Sequence, residues 1–315
     1  MLFKFPFKIA HTTRLFTDAV YVKLESNEGK NLGWGEATFP PYVTESPATF
    51  SNFISQVKLP QEINSLSDIH DFIAQLKTDF PSDIFSIAAV DIALHNLLAN
   101  QQNTTIGLLY GLQPSLKKTS LTIGICSKKE MEQKINDFPE SSYFKLKADE
   151  STIQQIITNF QALSDAPFVI DANQGFTTKE KAKHWADILY DLGVEYFEQP
   201  LNKADLSGHG WLTENTEIPI IADESYQQIK NFPDIAHNFN GINIKLMKSG
   251  GISEAYSALK QARALGLKTM LGCMSESSIA VNAANEIGAM ADFIDLDGPF
   301  LIKNDPFTEV TPFPF

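Results

Sequence analysis

The sequence predicts an α/β fold, a (β/α)7β barrel preceded by a smaller α+β domain, and three observations carry that expectation. Through the middle of the chain the runs YFKLKAD, VIDANQG, YFEQPL, IIADES and INIKLMKSGG follow one another at intervals of a little over twenty residues. Each is a short apolar run rich in Val, Ile, Tyr and Phe that ends in charged residues and leads into a helical pattern, which is how β/α units read. Residues 1–40 behave differently: Phe3, Phe5 and Phe7, then Val20, Val22 and Leu24, alternate with polar residues, as antiparallel strands do. The length, 315 residues, exceeds one ordinary domain and suits a barrel of about 200 residues with a second unit beside it.

Taken in order, the first segment reads as a small β-meander, with SNEGK as a turn before GWGEA. The stretch AHTTRLFTD, which holds Arg14, has no periodicity and reads as a loop. From Thr44 to Tyr110 the patterns turn helical: Ile63 to Phe80 with Ser67 as N-cap, then Ser82 to Ala99 with Ile84, Ile87, Ala88, Leu94 and Leu97 on one face. Barrel strands are expected at 120–126, 143–147, 167–171, 194–198, 219–223, 241–246, 268–273 and 292–296. Seven helical stretches alternate with them, including Thr152–Leu163, Lys179–Leu192 and Ser253–Leu265. The expected division is residues 1–115 for the first domain and 116–298 for the barrel, with the Phe/Pro-rich tail 299–315 packing back on the first domain. No low-complexity linker separates them, so firm contact is expected.

Composition excludes several function classes. A net charge of -13 with only two arginines, Arg14 and Arg263, argues against a nucleic-acid partner, whose phosphates need clustered Lys and Arg. No run approaches the roughly 20 apolar residues of a membrane span, and no secretory leader pattern opens the chain. A soluble cytoplasmic protein is expected, with Cys126 and Cys273 as reduced buried thiols. A homo-oligomer is allowed but not specified.

The chemistry sits at the strand ends. In a parallel barrel the strand C-termini converge on one mouth, so Asp171, Glu198 and Asp223 stand as three carboxylates on consecutive strands, flanked by Lys147 and Lys245. Surface carboxylates at strand ends are common, but three in register are hard to obtain by chance. Burying three like charges is strongly unfavourable unless a counter-charge joins them, and an all-oxygen set without His or Cys favours Mg2+. Residues i and i+2 of a strand share a face, which pairs Lys145 with Lys147, Asp171 with Asn173, and Asp295 with Asp297. If Lys145 and Lys147 both face the mouth, mutual repulsion and burial should lower the lysine pKa toward that of a base. The six histidines lie away from the carboxylate ladder and read as structural or surface. Gly250 and Gly251 of KSGG read as a tight strand-to-helix turn, which also takes Lys248, rather than a phosphate loop.

With these residues in place, the chain resembles the enolase superfamily, in particular its muconate-lactonizing-enzyme subgroup. The resemblance covers nearly the whole chain, through GWGEA, KLK, DANQG, FEQP, ADES and IKLMKSGG. It implies a modified TIM barrel with an N-terminal capping domain, Asp171, Glu198 and Asp223 as Mg2+ ligands, and Lys147 and Lys245 as acid/base catalysts on opposite faces of the substrate α-carbon, working through an enediolate. Asp295-Leu296-Asp297 before Gly-Pro resembles the DxD motif of dipeptide epimerases, where it holds the substrate ammonium. The implied substrate is a small dipeptide. Arg14, lying where this family closes a loop over the substrate, favours Ala-Glu through a bidentate pair with an acidic second residue. Lys145, Asn173, Met274, Ser275 and Glu276 are further candidates for the pocket wall. Competing readings are an o-succinylbenzoate synthase or N-acylamino-acid racemase of the same superfamily, an epimerase for hydrophobic dipeptides, a Schiff-base aldolase, and a binding protein on a retired barrel.

Overall fold

A computed structural model describes residues 1–9, 12–227 and 232–307 of the chain. Two antiparallel ribbons open it. The first pairs β1 (Leu2–Ile9) with β2 (Thr12–Phe16), the second β3 (Asp18–Glu25) with β4 (Leu32–Phe39), and they are separate two-stranded sheets rather than one meander. Most of the segment expected as a loop is therefore strand, with Arg14 opposite Phe7 in the ladder. Its lack of periodicity has a physical cause: Leu15 and Phe16 are both exposed, so neither face of β2 carries a consistent apolar row.

Helices follow. Helix Leu66–Asp79 starts one turn later than Ile63, and its N-cap is Ser65, not Ser67; the Ser65 hydroxyl accepts from Asp68 N while Asp68 reaches back to the Ser65 backbone. That reciprocal pair satisfies two orphan donors at once and so wins over the neighbouring serine. Helix Ile84–Gln101 is buried almost all round. It lies directly on β4 because Gly33 and Gly35 have no side chain; a Cβ at either would overlap the carbonyl oxygens of Ala93 and Ala89. The alternation of Gly in GWG and the small Ala88, Ala89 and Ala93 are thus two halves of one contact.

Eight parallel strands form the barrel, with every neighbour in the sheet also a neighbour in sequence: β5 (Leu121–Ile123), β6 (Phe144–Lys147), β7 (Phe168–Asp171), β8 (Phe197–Glu198), β9 (Ile220–Ala222), β10 (Gly241–Lys245), β11 (Lys268–Gly272) and β12 (Phe293–Asp295). Every expected strand contains one of these. The first and last strands meet through Ser120 N–H donating to the Ile294 carbonyl, 3.1 Å, and Leu296 N–H donating to Thr119 Oγ1, 2.8 Å. Nearly every strand residue is buried, as expected when helices cover one face and the barrel core the other.

The N-terminal segment is pinned to the barrel by buried carboxylates. Asp91, on helix Ile84–Gln101, accepts from Ile252 N–H at 2.6 Å and from Ser253 Oγ at 2.5 Å, capping helix Ile252–Ala264. Glu36 of β4 accepts from Ser277 N–H and Oγ at the start of helix Ser278–Asn285. Gly250 and Gly251 do form the tight turn, at φ 77° and 113°, and Gly251 lies against Asp91 where a Cβ would collide. From the other end of the chain, Lys303 N–H donates to the Leu2 carbonyl and Phe307 packs edge-on against Tyr21 and Trp34. The rest of the tail, 308–315, lies outside the described residues. Among the described residues no helix is long and apolar enough to cross a membrane.

Candidate active site

Strand register builds the site. Lys147 of β6 is paired with Asp171 of β7, and Asp171 with Glu198 of β8, so the three stand side by side at the strand C-termini. Asp223 comes one residue past β9 and Lys245 ends β10. One carboxylate oxygen from each of Asp171, Glu198 and Asp223 lies within 4.8 Å of the others, and all three residues are buried. Such convergence of hard oxygen donors fits Mg2+, which takes a few carboxylates and keeps other positions open.

Four ammonium groups surround the three carboxylates. Lys147 bonds Asp171 Oδ2 and Lys245 bonds Asp223 Oδ2 at 2.9 Å, so the two flank the triad from opposite sides. Lys145 is sealed between Glu198 Oε2 and Asp295 Oδ2, each at 2.6 Å, and is 1% exposed. Lys248, on the turn of helix Leu246–Ser249, donates to Asp223 Oδ1 at 2.7 Å and to the carbonyls of Asp223, Tyr226 and Asn243. Charge balance alone therefore does not call for a cation; the geometry of the oxygens does.

The expected lowering of the lysine pKa is reversed for Lys147. Burial, the largest influence, pulls it down, but the carboxylate of Asp171 and, more weakly, those of Glu198 and Asp295 outweigh both burial and the repulsion from Lys145. Lys245 is likewise raised, with burial opposed by Asp223 and Glu198. Asp223 sits far below the usual carboxylate range: burial acts against this, but Lys245 and Lys248 hold it ionised. Repulsion within the KxK pair matters little because Lys145 already has two anionic partners of its own.

A cavity of about 570 Å³ opens over this row. Lys147, Asn173, Asp223 and Lys245 form its floor, and Asp295, Asp297 and Cys273 one wall. Arg14, Met274 and Ser275 also line it; Arg14 Nη2 donates to Ser275 Oγ at 3.3 Å and the guanidinium lies over the Phe3 and Phe7 rings. Arg14 Nε and Nη1 are buried without a partner among the described residues. Asp297 precedes the short helix Gly298–Leu301 but makes no side-chain cap to it; its Oδ2 accepts from Thr122 N–H at 2.6 Å. Burial and then the neighbouring Asp295 push Asp297 up to about 6. Two expected wall residues are not on the wall. Lys145 is enclosed behind Glu198 and Asp295, and Glu276 is buried with its carboxylate turned back to Met274 N–H, 2.7 Å. Both cysteines are free and half-buried, and burial pushes the Cys273 thiol pKa well above its ordinary value, opposite to the lowering that a thiolate nucleophile needs.

Several site residues carry no local signal. Glu224 lines the cavity and accepts from Asn173 Nδ2 at 3.2 Å, with burial and the adjacent Asp223 pushing it up to about 8. Lys248 and Gln199 reach Asp223, and Asn243 reaches Glu198, across 24 to 45 positions of sequence. Only the positive φ of Asn173, Gln174 and Gln199, at 44°, 65° and 39°, marks the strand ends as strained, as functional loops often are.

Fold and site together define a member of the enolase superfamily, and the chain belongs to it. Residues 132–310 match the enolase C-terminal domain-like family, and residues 1–111 the N-terminal domain of the mandelate racemase / muconate lactonizing enzyme family. More particularly, the chain is 34% identical to an L-Ala-D/L-Glu epimerase of Bacteroides thetaiotaomicron, across 96% of this chain and 79% of that one. It is 32% identical to a hydrophobic dipeptide epimerase of a Flavobacteria bacterium, across 96% and 88%. Among solved structures, the substrate-liganded L-Ala-D/L-Glu epimerase of Bacillus subtilis superimposes with a TM-score of 0.87 at 28% identity, covering 96% of this chain and 89% of that one. The dipeptide epimerase of Enterococcus faecalis, complexed with Mg and L-Leu-L-Tyr, gives 0.88 at 26% identity, covering 97% and 89%.

Proposed function

We propose that this protein is a Mg2+-dependent dipeptide epimerase that inverts the α-carbon of the second residue, with Ala-Glu as the favoured substrate. The observation that carries the reading is the row Lys147, Asp171, Glu198, Asp223, Lys245: three ligand carboxylates with an amine at each flank, under a cavity walled by Asp297 and Arg14. Asp171, Glu198 and Asp223 would hold Mg2+, which when bound supplies positive charge to the substrate carboxylate and so acidifies the neighbouring C–H. Lys147 and Lys245 face the carbon from opposite sides: the one that has given up its own proton removes the α-proton, and the other, still an ammonium, delivers one; a cation shared by Asp171 and Asp223 would weaken the ion pairs that hold both amines protonated. Asp297, with Asp295 beside it, faces the dipeptide's ammonium end; a racemase of N-acylated amino acids or an o-succinylbenzoate synthase has no cationic group for these acids to meet. We also propose the division into residues 1–115 with 299–315 and residues 116–298, and a cytoplasmic location, which the free thiols favour.

The direct test is incubation with Mg2+ in D2O and a set of dipeptides. Deuterium at the α-carbon of the second residue supports the reading, and exchange at no dipeptide overturns it.

Arg14 sets the preference among side chains. Its Nε and Nη1 have no partner among the described residues, which leaves N–H donors for the oxygens of an acidic side chain. Arg14→Met should cut kcat/KM for L-Ala-L-Glu by about tenfold or more, since a charged hydrogen bond is worth about 1.5–3 kcal/mol, while L-Ala-L-Leu gains or holds. Equal losses on both substrates would remove Arg14 from the specificity pocket.

Asp297 must be ionised to hold an ammonium group. Its pKa near 6 means that the charged form is lost as pH falls through 6, so KM for the dipeptide should rise between pH 7 and pH 5. In Asp297→Asn that rise should vanish from an already elevated KM. A KM profile unchanged by this substitution would place the ammonium elsewhere.

A further inference from the structure

We propose that Gln199 and Asn243 are positioning residues for the cation site: two buried, uncharged amides that fix the loop under Asp223 and the carboxylate of Glu198. The inference rests on the reading of the triad as a Mg2+ site.

Gln199 directly follows Glu198, is fully buried, and sits at φ 39°, a left-handed conformation costly for a residue with a side chain. What it gains is a place between two strand ends. Its Oε1 accepts from the backbone N–H of Asp223 at 2.9 Å and of Ser225 at 3.0 Å, and its Nε2 donates to Ser225 Oγ at 2.8 Å and to the Leu201 carbonyl at 3.3 Å. The amide cannot be turned round, because the oxygen faces two N–H donors that have nothing to accept with. Behind it, His209 enforces the same orientation. Leu201 N–H points at His209 Nε2, 3.3 Å, so that nitrogen is the acceptor, and Nδ1 donates to the Asp205 carbonyl at 2.8 Å. Burial keeps this imidazole neutral, its pKa down to about 4. The third carboxylate is thereby anchored to the residue next to the second.

Asn243 does the complementary work from β10, two residues before Lys245 on the same face. It is fully buried and donates from Nδ2 to Glu198 Oε1 at 2.8 Å, while Lys145 takes Oε2. Space for it exists because β11 ends in Gly272, where a Cβ would overlap Asn243 Oδ1. Both amides orient a ligand without adding charge. A cationic residue in either place would compete with the metal, and an anionic one would add to the repulsion among the carboxylates.

The test is titration calorimetry of Mg2+ binding to the full-length chain and to Gln199→Met and Asn243→Ala. Each variant should bind Mg2+ about 10- to 100-fold more weakly, the usual effect of removing a group that orients a ligand, at a temperature where circular dichroism in EDTA shows it as fully folded as the parent. Should Gln199→Met fail to fold, Asn243→Ala decides. Folded variants with parental Mg2+ affinity overturn the inference alone. A parent chain that binds Mg2+ but exchanges no dipeptide overturns the substrate reading and leaves this test standing. A parent that binds no Mg2+ overturns both.

Discussion

Lys147→Ala and Lys245→Ala should each lose epimerisation by at least about 10²- to 10⁴-fold, the contribution expected of a positioned acid or base. The two losses should differ in kind. With one amine gone, the other still faces the α-carbon, so each variant should exchange the α-hydrogen of one stereoisomer with D2O, and the two variants should serve opposite stereoisomers. This follows from the placement of the lysines on β6 and β10, outside the three strands that carry the carboxylates, with one ammonium on Asp171 and the other on Asp223. Full activity in both variants would end the two-base mechanism. Exchange of the same stereoisomer by both would put the amines on one face.

Removing the metal should be as severe. Treatment with EDTA should reduce turnover to background, and added Mg2+ should restore it. Glu198→Gln, which keeps the side-chain shape and its bond from Asn243 only in one amide orientation, should weaken Mg2+ binding even at high concentration. Binding also has a thermal signature: at 100 times the dissociation constant, a ligand specific for the folded state stabilises it by about 2.7 kcal/mol. The parent should therefore melt higher in Mg2+ than in EDTA, and Glu198→Gln should show little of that rise. Metal-independent turnover would contradict the convergence of the three oxygens as a cation site.

Much of this was legible in the residues. All eight barrel strands could be placed: six are β-branched or aromatic runs closed by charge, and the other two, SLTIGIC and KTMLGC, are apolar runs without that closing charge. The carboxylates and flanking lysines followed from where such runs end. The errors have definite causes. Thr12–Phe16 gives no strand signal because a ribbon with exposed apolar residues leaves no alternation. Ser67 misleads as an N-cap because only the reciprocal bond to Asp68 separates it from Ser65. The direction of the Lys147 shift was reversed because the acids that outweigh repulsion lie 24 to 150 residues from the KxK motif. Lys248, Gln199 and Asn243 have the same explanation: a buried ammonium or amide declares its role only once its distant acceptor is known.

Arg14 and Phe7 on the first ribbon, with Pro41, Tyr42 and Val43 just after the second, form most of the cavity lining that does not belong to the barrel. If Arg14 reads the peptide side chain as proposed, much of the side-chain discrimination lies on a stretch of polypeptide separate from the proton chemistry. Mutational drift in the first forty-five positions can retune which peptides are accepted while the reacting groups stay where they are, whereas substitutions at the strand tips cannot be tolerated so freely. An engineer seeking new substrates would randomise the former and leave the latter alone.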